Sequence, residues 1–231
     1  MIKLYPYQDL GGANHGWLNA KHHFSFASYY DSRRMNFGVL RVINDDVISP
    51  KSGFPNHPHR DMEIITYVRS GAVTHKDNNG NEGRTVAGDV QVMSAGTGIL
   101  HSEFNLENED TTLYQIWISP KEKNVKPRWD SKSFPKNLVS NKLSLLVSGD
   151  KNAPLFIHQD AQIYGGNLKK GTNIKHQIKN QIYILASDGE FMVDAVKMTK
   201  GDGAEITHLS EININAIIDC EILVIDVPNH N

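Results

Sequence analysis

Two histidines stand one residue apart in the stretch HPHRDMEI, residues 57–64, and a second His/Glu pair follows in ILHSEFN, residues 99–105. In an extended strand successive side chains alternate faces, so residues i and i+2 point the same way. His57 and His59 share a face if the backbone is extended there, and Pro58 pushes His57 toward that conformation. His101 and Glu103 stand in the same relation. Two same-face pairs on different strands can bring three imidazoles and one carboxylate to one point, a donor set suited to divalent Fe, Mn, Ni, Cu or Zn. Glu63 competes with Glu103 for the carboxylate place, because positions 57, 59, 61 and 63 share a face on an unbroken strand. A lone HxH pair is commonly incidental. HxH followed by HxE, with the glycine turn SAGTG at 94–98 just before the second pair, points more specifically to a metal site.

The elements that must position these pairs are strands. Runs of Val, Ile, Tyr and Phe recur in FGVLRVIND (37–45), MEIITYVRSG (62–71), VQVMSAG (90–96), LYQIWISP (113–120), QIYILASDG (181–189) and CEILVIDVP (220–228). Turn formers separate them, among them Asn79-Gly80, Gly88-Asp89, Asp188-Gly189 and Gly201-Asp202-Gly203. No long amphipathic helix is evident, so the pattern predicts an all-β sandwich or barrel. The stretch PKEKNVKPRWDSKSFPKN (120–137) carries three prolines and many charges without strand alternation, and reads as a connector between residues 1–125 and 126–231. The halves resemble each other: a β run ends at Gly71 and Gly88-Asp89 follows, then a β run ends at Gly189 and Gly201-Asp202 follows. Two tandem copies of one small barrel account for this.

Composition bounds the rest. The chain has 231 residues, a formal net charge of −2 and a single cysteine, Cys220. No internal disulfide can form, which fits a reducing compartment, and Cys220, opening an apolar run, is expected to be buried and inert. No apolar run approaches the ~18 residues of a membrane span and MIKLYPYQDL lacks a signal-type core, so the expected location is cytoplasmic, with no membrane partner. Lys and Arg are dispersed, so no nucleic acid is expected. GTG at 96–98 lacks the Lys-Ser/Thr of a phosphate loop.

HPHRDMEI and MSAGTGILHSEFN, preceded by HGWLNAKHHFSFASYYD and LRVINDDVI, closely resemble the pirin family of the cupin superfamily, and in particular bacterial pirin-like quercetin 2,3-dioxygenases. The resemblance is strong over residues 11–119 and thinner but collinear in the second half, as at IHQDAQIY (157–164). It implies a bicupin of two jelly-roll β-barrels with the metal in the N-terminal one. The implied ligands are His57, His59, His101 and Glu103, with Glu63 behind them rather than among them. The second half departs from the pattern: Lys175 and Gln177 stand where His57 and His59 would, and no HxE follows Gly201, so the C-terminal barrel is expected to be metal-free.

The activity so implied is ring opening of quercetin-like flavonols by O2. It needs one divalent transition metal, Fe foremost and Mn, Ni, Co, Cu or Zn as alternatives. It also needs a base for the flavonol 3-hydroxyl, a role that falls to Glu103 by analogy. Phe26, Phe54, Met93 and Phe104 are candidates for the pocket wall. Two rivals stand beside this reading. One is a metal- or redox-sensing regulator acting through protein partners, and the other is a purely structural metal.

Overall fold

The computed structural model describes residues 1–139 and 142–230. Its strands form four sheets, two per half. In the first half, a seven-stranded sheet contains Gly11–Asn14, Leu18–His22, Leu40–Ile48, Thr111–Ile118, Glu63–Ser70, Val90–Ser94 and Arg128–Lys132, in that spatial order. It faces a four-stranded sheet of Ser52–His59, Ile99–Asn105, Ala72–Asp77 and Glu82–Val86. The second half repeats this plan with an eight-stranded sheet and a four-stranded one of Asn173–Gln177, Glu211–Ala216, Glu190–Val193 and Val196–Thr199. In both small sheets the spatial order is first, fourth, second and third in sequence. Shared topology is what a duplicated unit leaves behind, and the fold is a bicupin. No helix among the described residues is long and apolar enough to cross a membrane.

The glycines that suggested the repeat have a common job. Gly71 and Gly189 turn the chain from large sheet to small at φ 71° and 75°, and Gly88 and Gly201 return it at φ 82° and 88°. A Cβ on Gly71 would stand 2.4 Å from Thr111 Oγ1, and one on Gly189 2.2 Å from the Asp219 carbonyl oxygen. Left-handed backbone and close approach both exclude a side chain there.

The two large sheets pack against each other, giving four layers. Tyr67, Tyr114, Ile116 and Ile118 from the first meet Tyr183, Leu185, Leu223 and Ile225 from the second in one buried cluster. These strands are covered on both faces, which is why they read as continuous apolar runs rather than strict alternation. Polar pairs cross the seam: Arg34 with Glu205, and Tyr67 donating to Glu221.

Two strands cross the boundary expected between residues 125 and 126. Ile2–Tyr5 pairs with Gly203–Ile206 in the second half's sheet, and Arg128–Lys132, inside the supposed connector, pairs with Val90–Ser94 in the first. The many charges of the latter hid a strand: it lies at a sheet edge, where polar side chains are tolerated. Cys220 is buried and free, and burial pushes its thiol up to about 11, consistent with an inert residue.

Candidate metal centre

His57 and His101 lie directly opposite each other in the antiparallel pair formed by Ser52–His59 and Ile99–Asn105. Between His101 and Glu103 the register slips: His101 faces His57, but Glu103 faces Phe54, so the first strand carries an extra residue. This bulge curls the chain and lets His57 Nδ1 donate to the Pro55 carbonyl at 2.8 Å, which leaves Nε2 bare. His57, His59 and His101 present ring nitrogens within 4.8 Å of one another. They face a cavity of about 260 Å³ between the two sheets of the first half.

Burial, reinforced by the neighbouring imidazoles, pushes His59 down to about 4 and His101 down to about 3, so both are neutral with lone pairs available at physiological pH. His101 Nε2 is buried and has no hydrogen-bond partner among the described residues. Its other nitrogen, Nδ1, meets His75 Nδ1 at 3.4 Å, and His75 Nε2 meets Asp77 Oδ2 at 3.0 Å. Burial works to raise the Asp77 carboxyl, but hydrogen bonds from Asn81 and His75 outweigh it and hold the group below its usual range. An ionised Asp77 only accepts, so His75 carries its proton on Nε2. When His101 gives its Nε2 lone pair to a metal, its Nδ1 carries the proton, and His75 Nδ1 is the acceptor placed to take that hydrogen bond. An orphaned imidazole nitrogen beside two others is a donor set that fits a divalent transition metal.

This chain of contacts gives one expected result. His75→Phe preserves the stack on Trp129 (ring centroids 5.0 Å apart, 10° between planes) but removes the acceptor that fixes His101. Metal affinity, measured by competition with a chelator, should fall about 10–100-fold.

Glu103 is buried on the same wall but is not part of the three-histidine cluster; its carboxylate groups with His75 and His101. It sits on a row of polar side chains that crosses the large sheet. Gln91, Thr66, Gln115, Asn44 and His22 lie in direct register on five adjacent strands. Glu103 Oε1 accepts from Gln91 Nε2 at 2.6 Å and Thr66 Oγ1 at 3.1 Å, and Oε2 accepts from Gln115 Nε2 at 2.5 Å. At the far end of the row His22 Nδ1 meets Asn44 Oδ1 at 2.8 Å. An ionised carboxylate has about four acceptor sites, so three donors leave roughly one free.

Glu63 stands elsewhere. Asp61 takes a positive φ of 46° and ends the strand, so the parity linking 57, 59 and 61 to 63 is broken. Glu63 accepts from Ser94 Oγ at 2.7 Å, away from the cavity. Burial pushes its carboxyl up to about 7, against hydrogen bonds from Ser94 and the His158 backbone. The folded form holds the proton more tightly than an unfolded chain with an ordinary value near 4.5, so stability from this group is full below about 4.5 and is lost as pH rises through 7. A rise of that size corresponds to about 3 kcal/mol. Glu63→Gln should therefore gain on the unsubstituted chain, by up to about 3 kcal/mol, between pH 5 and pH 8 in chemical denaturation.

Of the expected wall residues, Phe26 and Phe54 line the cavity. Met93 does not; it packs behind the sheet with Ile64, Ala95 and Ile99. Phe104 does not either, because it alternates with His101 and Glu103 and shares the outer face with Ser102. The remaining wall includes His15, His22, Asn44, Asp46, Gln115 and Trp117, none of which was singled out beforehand. The available signal was polarity in the wrong place: Asn, Asp and Gln at the centre of apolar strand runs. Both His/acid clusters found among the described residues lie in the first half. In the second half Lys175 and Gln177 are exposed, and His176 is turned inward against Tyr164.

Paired sheets with imidazoles converging on an internal cavity, in a chain built as two tandem cupin units, define the class: a bicupin of metal-binding type. A family model described as Pirin matches residues 5–118, and one described as Quercetinase C-terminal cupin domain matches residues 145–227. A pirin-like protein of Caulobacter vibrioides is 53% identical over 230 residues, covering 98% of this chain and 99% of the relative. A quercetin 2,3-dioxygenase of Escherichia coli is 44% identical over 231 residues, covering 99% of each. The crystal structure of YhhW from Escherichia coli superposes with a TM-score of 0.94 at 44% identity over 100% of both chains. Bacterial pirin YhhW in complex with nickel(II) gives 0.93 at 43% identity, covering 99% of this chain and 100% of that one. The chain belongs to the pirin family.

Proposed function

We propose that this pirin is a metal-dependent dioxygenase that opens the ring of quercetin-like flavonols with O2. The observation that carries the reading is the cluster of three close imidazoles, two of them held neutral by burial, on the wall of an internal cavity lined by both aromatic and polar side chains. The metal, when bound, supplies a Lewis-acidic and redox-active centre that polarises the flavonol oxygen and engages dioxygen. Fe is the first candidate, and nickel is the ion named for the Escherichia coli relative. His57, His59 and His101 would hold it, with Glu103 as the fourth donor.

The chain's other residues have roles of their own. Phe26, Phe54 and Trp117 provide flat apolar contact for a planar ring system, with Trp117 edge-on to both Phe26 and His59. Glu103, fixed by Gln91, Thr66 and Gln115, keeps one acceptor site for the 3-hydroxyl proton or for the metal, so its two proposed roles compete for one lone pair. The test is aerobic assay with quercetin of protein reconstituted separately with Fe, Mn, Ni, Co and Cu. Elemental analysis of protein purified without added metal accompanies it. Ring opening with at least one metal supports the reading, and none with any of them rejects it.

A further inference from the structure

The rung of the large sheet next to the polar row is apolar with one exception. Val68, Leu113, Asp46, Ala20 and Ala13 lie in direct register on five adjacent strands. Four are hydrocarbon and one is a carboxyl. Asp46 is 1% exposed, and its Oδ1 is buried without a hydrogen-bond partner among the described residues. The contrast within the cavity is sharp: Glu103 has three donors, and Asn44, two residues away on the same face, has His22. A buried carboxyl oxygen left unpaired costs roughly 1–3 kcal/mol, and native structures keep few such groups without a use for them.

The place of Asp46 says what the use is. It lines the cavity that the histidines face, and Ala13, Ala20 and Ala27 line it too. Their short side chains take up little of the cavity of about 260 Å³ that the carboxyl faces. Burial, with Asp45 and Glu103 adding to it, pushes the Asp46 carboxyl well above its ordinary range, which suits a neutral partner better than a cation. A hydroxyl can both give and take a hydrogen bond, so it satisfies the group in either protonation state.

We propose that Asp46 is the hydroxyl-recognising group of this cavity, pairing with a phenolic hydroxyl of a planar aromatic ligand and so selecting hydroxylated rings over bare ones. The proposal rests on the reading of the cavity as a flavonol site. It does not rest on turnover. A site built to pair with a hydroxyl leaves its own polar group stranded when the hydroxyl is missing, and that stranding is the source of selectivity.

The test is anaerobic binding, which separates recognition from reaction. Trp117, on the cavity wall, is a fluorescence reporter. Quercetin and unsubstituted flavone are titrated into the unsubstituted protein, Asp46→Leu and Asp46→Asn. Asp46→Leu should weaken quercetin about tenfold or more and leave flavone unchanged. Asp46→Asn, whose amide still pairs with a hydroxyl, should keep part of the preference. The thermal midpoint of Asp46→Leu should not fall, because the substitution removes an unpaired buried acid, and its metal content should equal that of the unsubstituted protein. A preference for quercetin that is undiminished in Asp46→Leu would overturn the proposal. Equal loss of both ligands, or loss of metal, would do the same. If the unsubstituted protein binds neither ligand, both this proposal and the flavonol reading fall. If it binds quercetin selectively through Asp46 but never opens the ring, only the dioxygenase reading falls.

Discussion

Replacing His57 and His101 together by alanine is expected to abolish stoichiometric metal binding and to lower any quercetin ring opening by on the order of 1,000-fold. The two residues face each other across one strand pair, so their loss removes two of three clustered donors and leaves only His59. A metal's contribution to a reaction is several kcal/mol, and each 1.36 kcal/mol is a factor of ten in rate. The fold should survive. His57 is half-buried, and the one side-chain hydrogen bond that His101 gives up is the one to His75. Circular dichroism and thermal melting should therefore differ little between the double variant and the metal-depleted parent. Elemental analysis and oxygen uptake check the rest. Undiminished turnover in the double variant would remove the histidine cluster from the chemistry.

Glu103→Ala should behave differently, because Glu103 is tied into the fabric of the sheet. Its removal strands Gln115 Nε2, takes the acceptor from the Thr66 hydroxyl and leaves Gln91 Nε2 with only Thr66 Oγ1 at 3.3 Å, all on buried residues. Each stranded donor costs about 1–3 kcal/mol, so a loss of about 3 kcal/mol or more is expected. For a chain of this size that corresponds to a fall in melting temperature of roughly 6–12 °C. The comparison belongs in metal-depleted protein, since a bound ion would stabilise the parent by mass action and blur the two effects. A variant as stable as its parent would show that the three contacts contribute nothing net. The pair of experiments thus separates residues that hold a metal from one that also holds the sheet.

The histidine cluster was legible in the sequence because strand alternation is a strict rule. HxH and HxE are same-face pairs on any extended backbone, whatever else surrounds them. The duplication was legible for a related reason: Gly71, Gly88, Gly189 and Gly201 mark turns that only glycine can make. Glu63 competed for the carboxylate place only as long as one unbroken strand was assumed, and the left-handed Asp61 that breaks it is announced by no composition signal. Phe104, by contrast, was excluded by the very alternation that selected Glu103, since it lies one residue out of phase. The polar row from Gln91 to His22 was out of reach for a different reason. It is assembled across five strands, and register between strands far apart in sequence is set by packing rather than by any local run.

The strand Ile2–Tyr5 is synthesised about two hundred residues before its partner, Gly203–Ile206. At ordinary translation speeds of ~5–20 residues per second, it waits roughly 10–40 s for that partner to exist. Until then the edge of the second large sheet is unfinished, and the strand that will finish it has no partner there. Closing this contact is a late event that joins segments about two hundred residues apart, with the loop-closure entropy of that span against it. A protein so arranged registers how far its synthesis has run: a ribosome product truncated before residue 203 has no place to dock the strand Ile2–Tyr5.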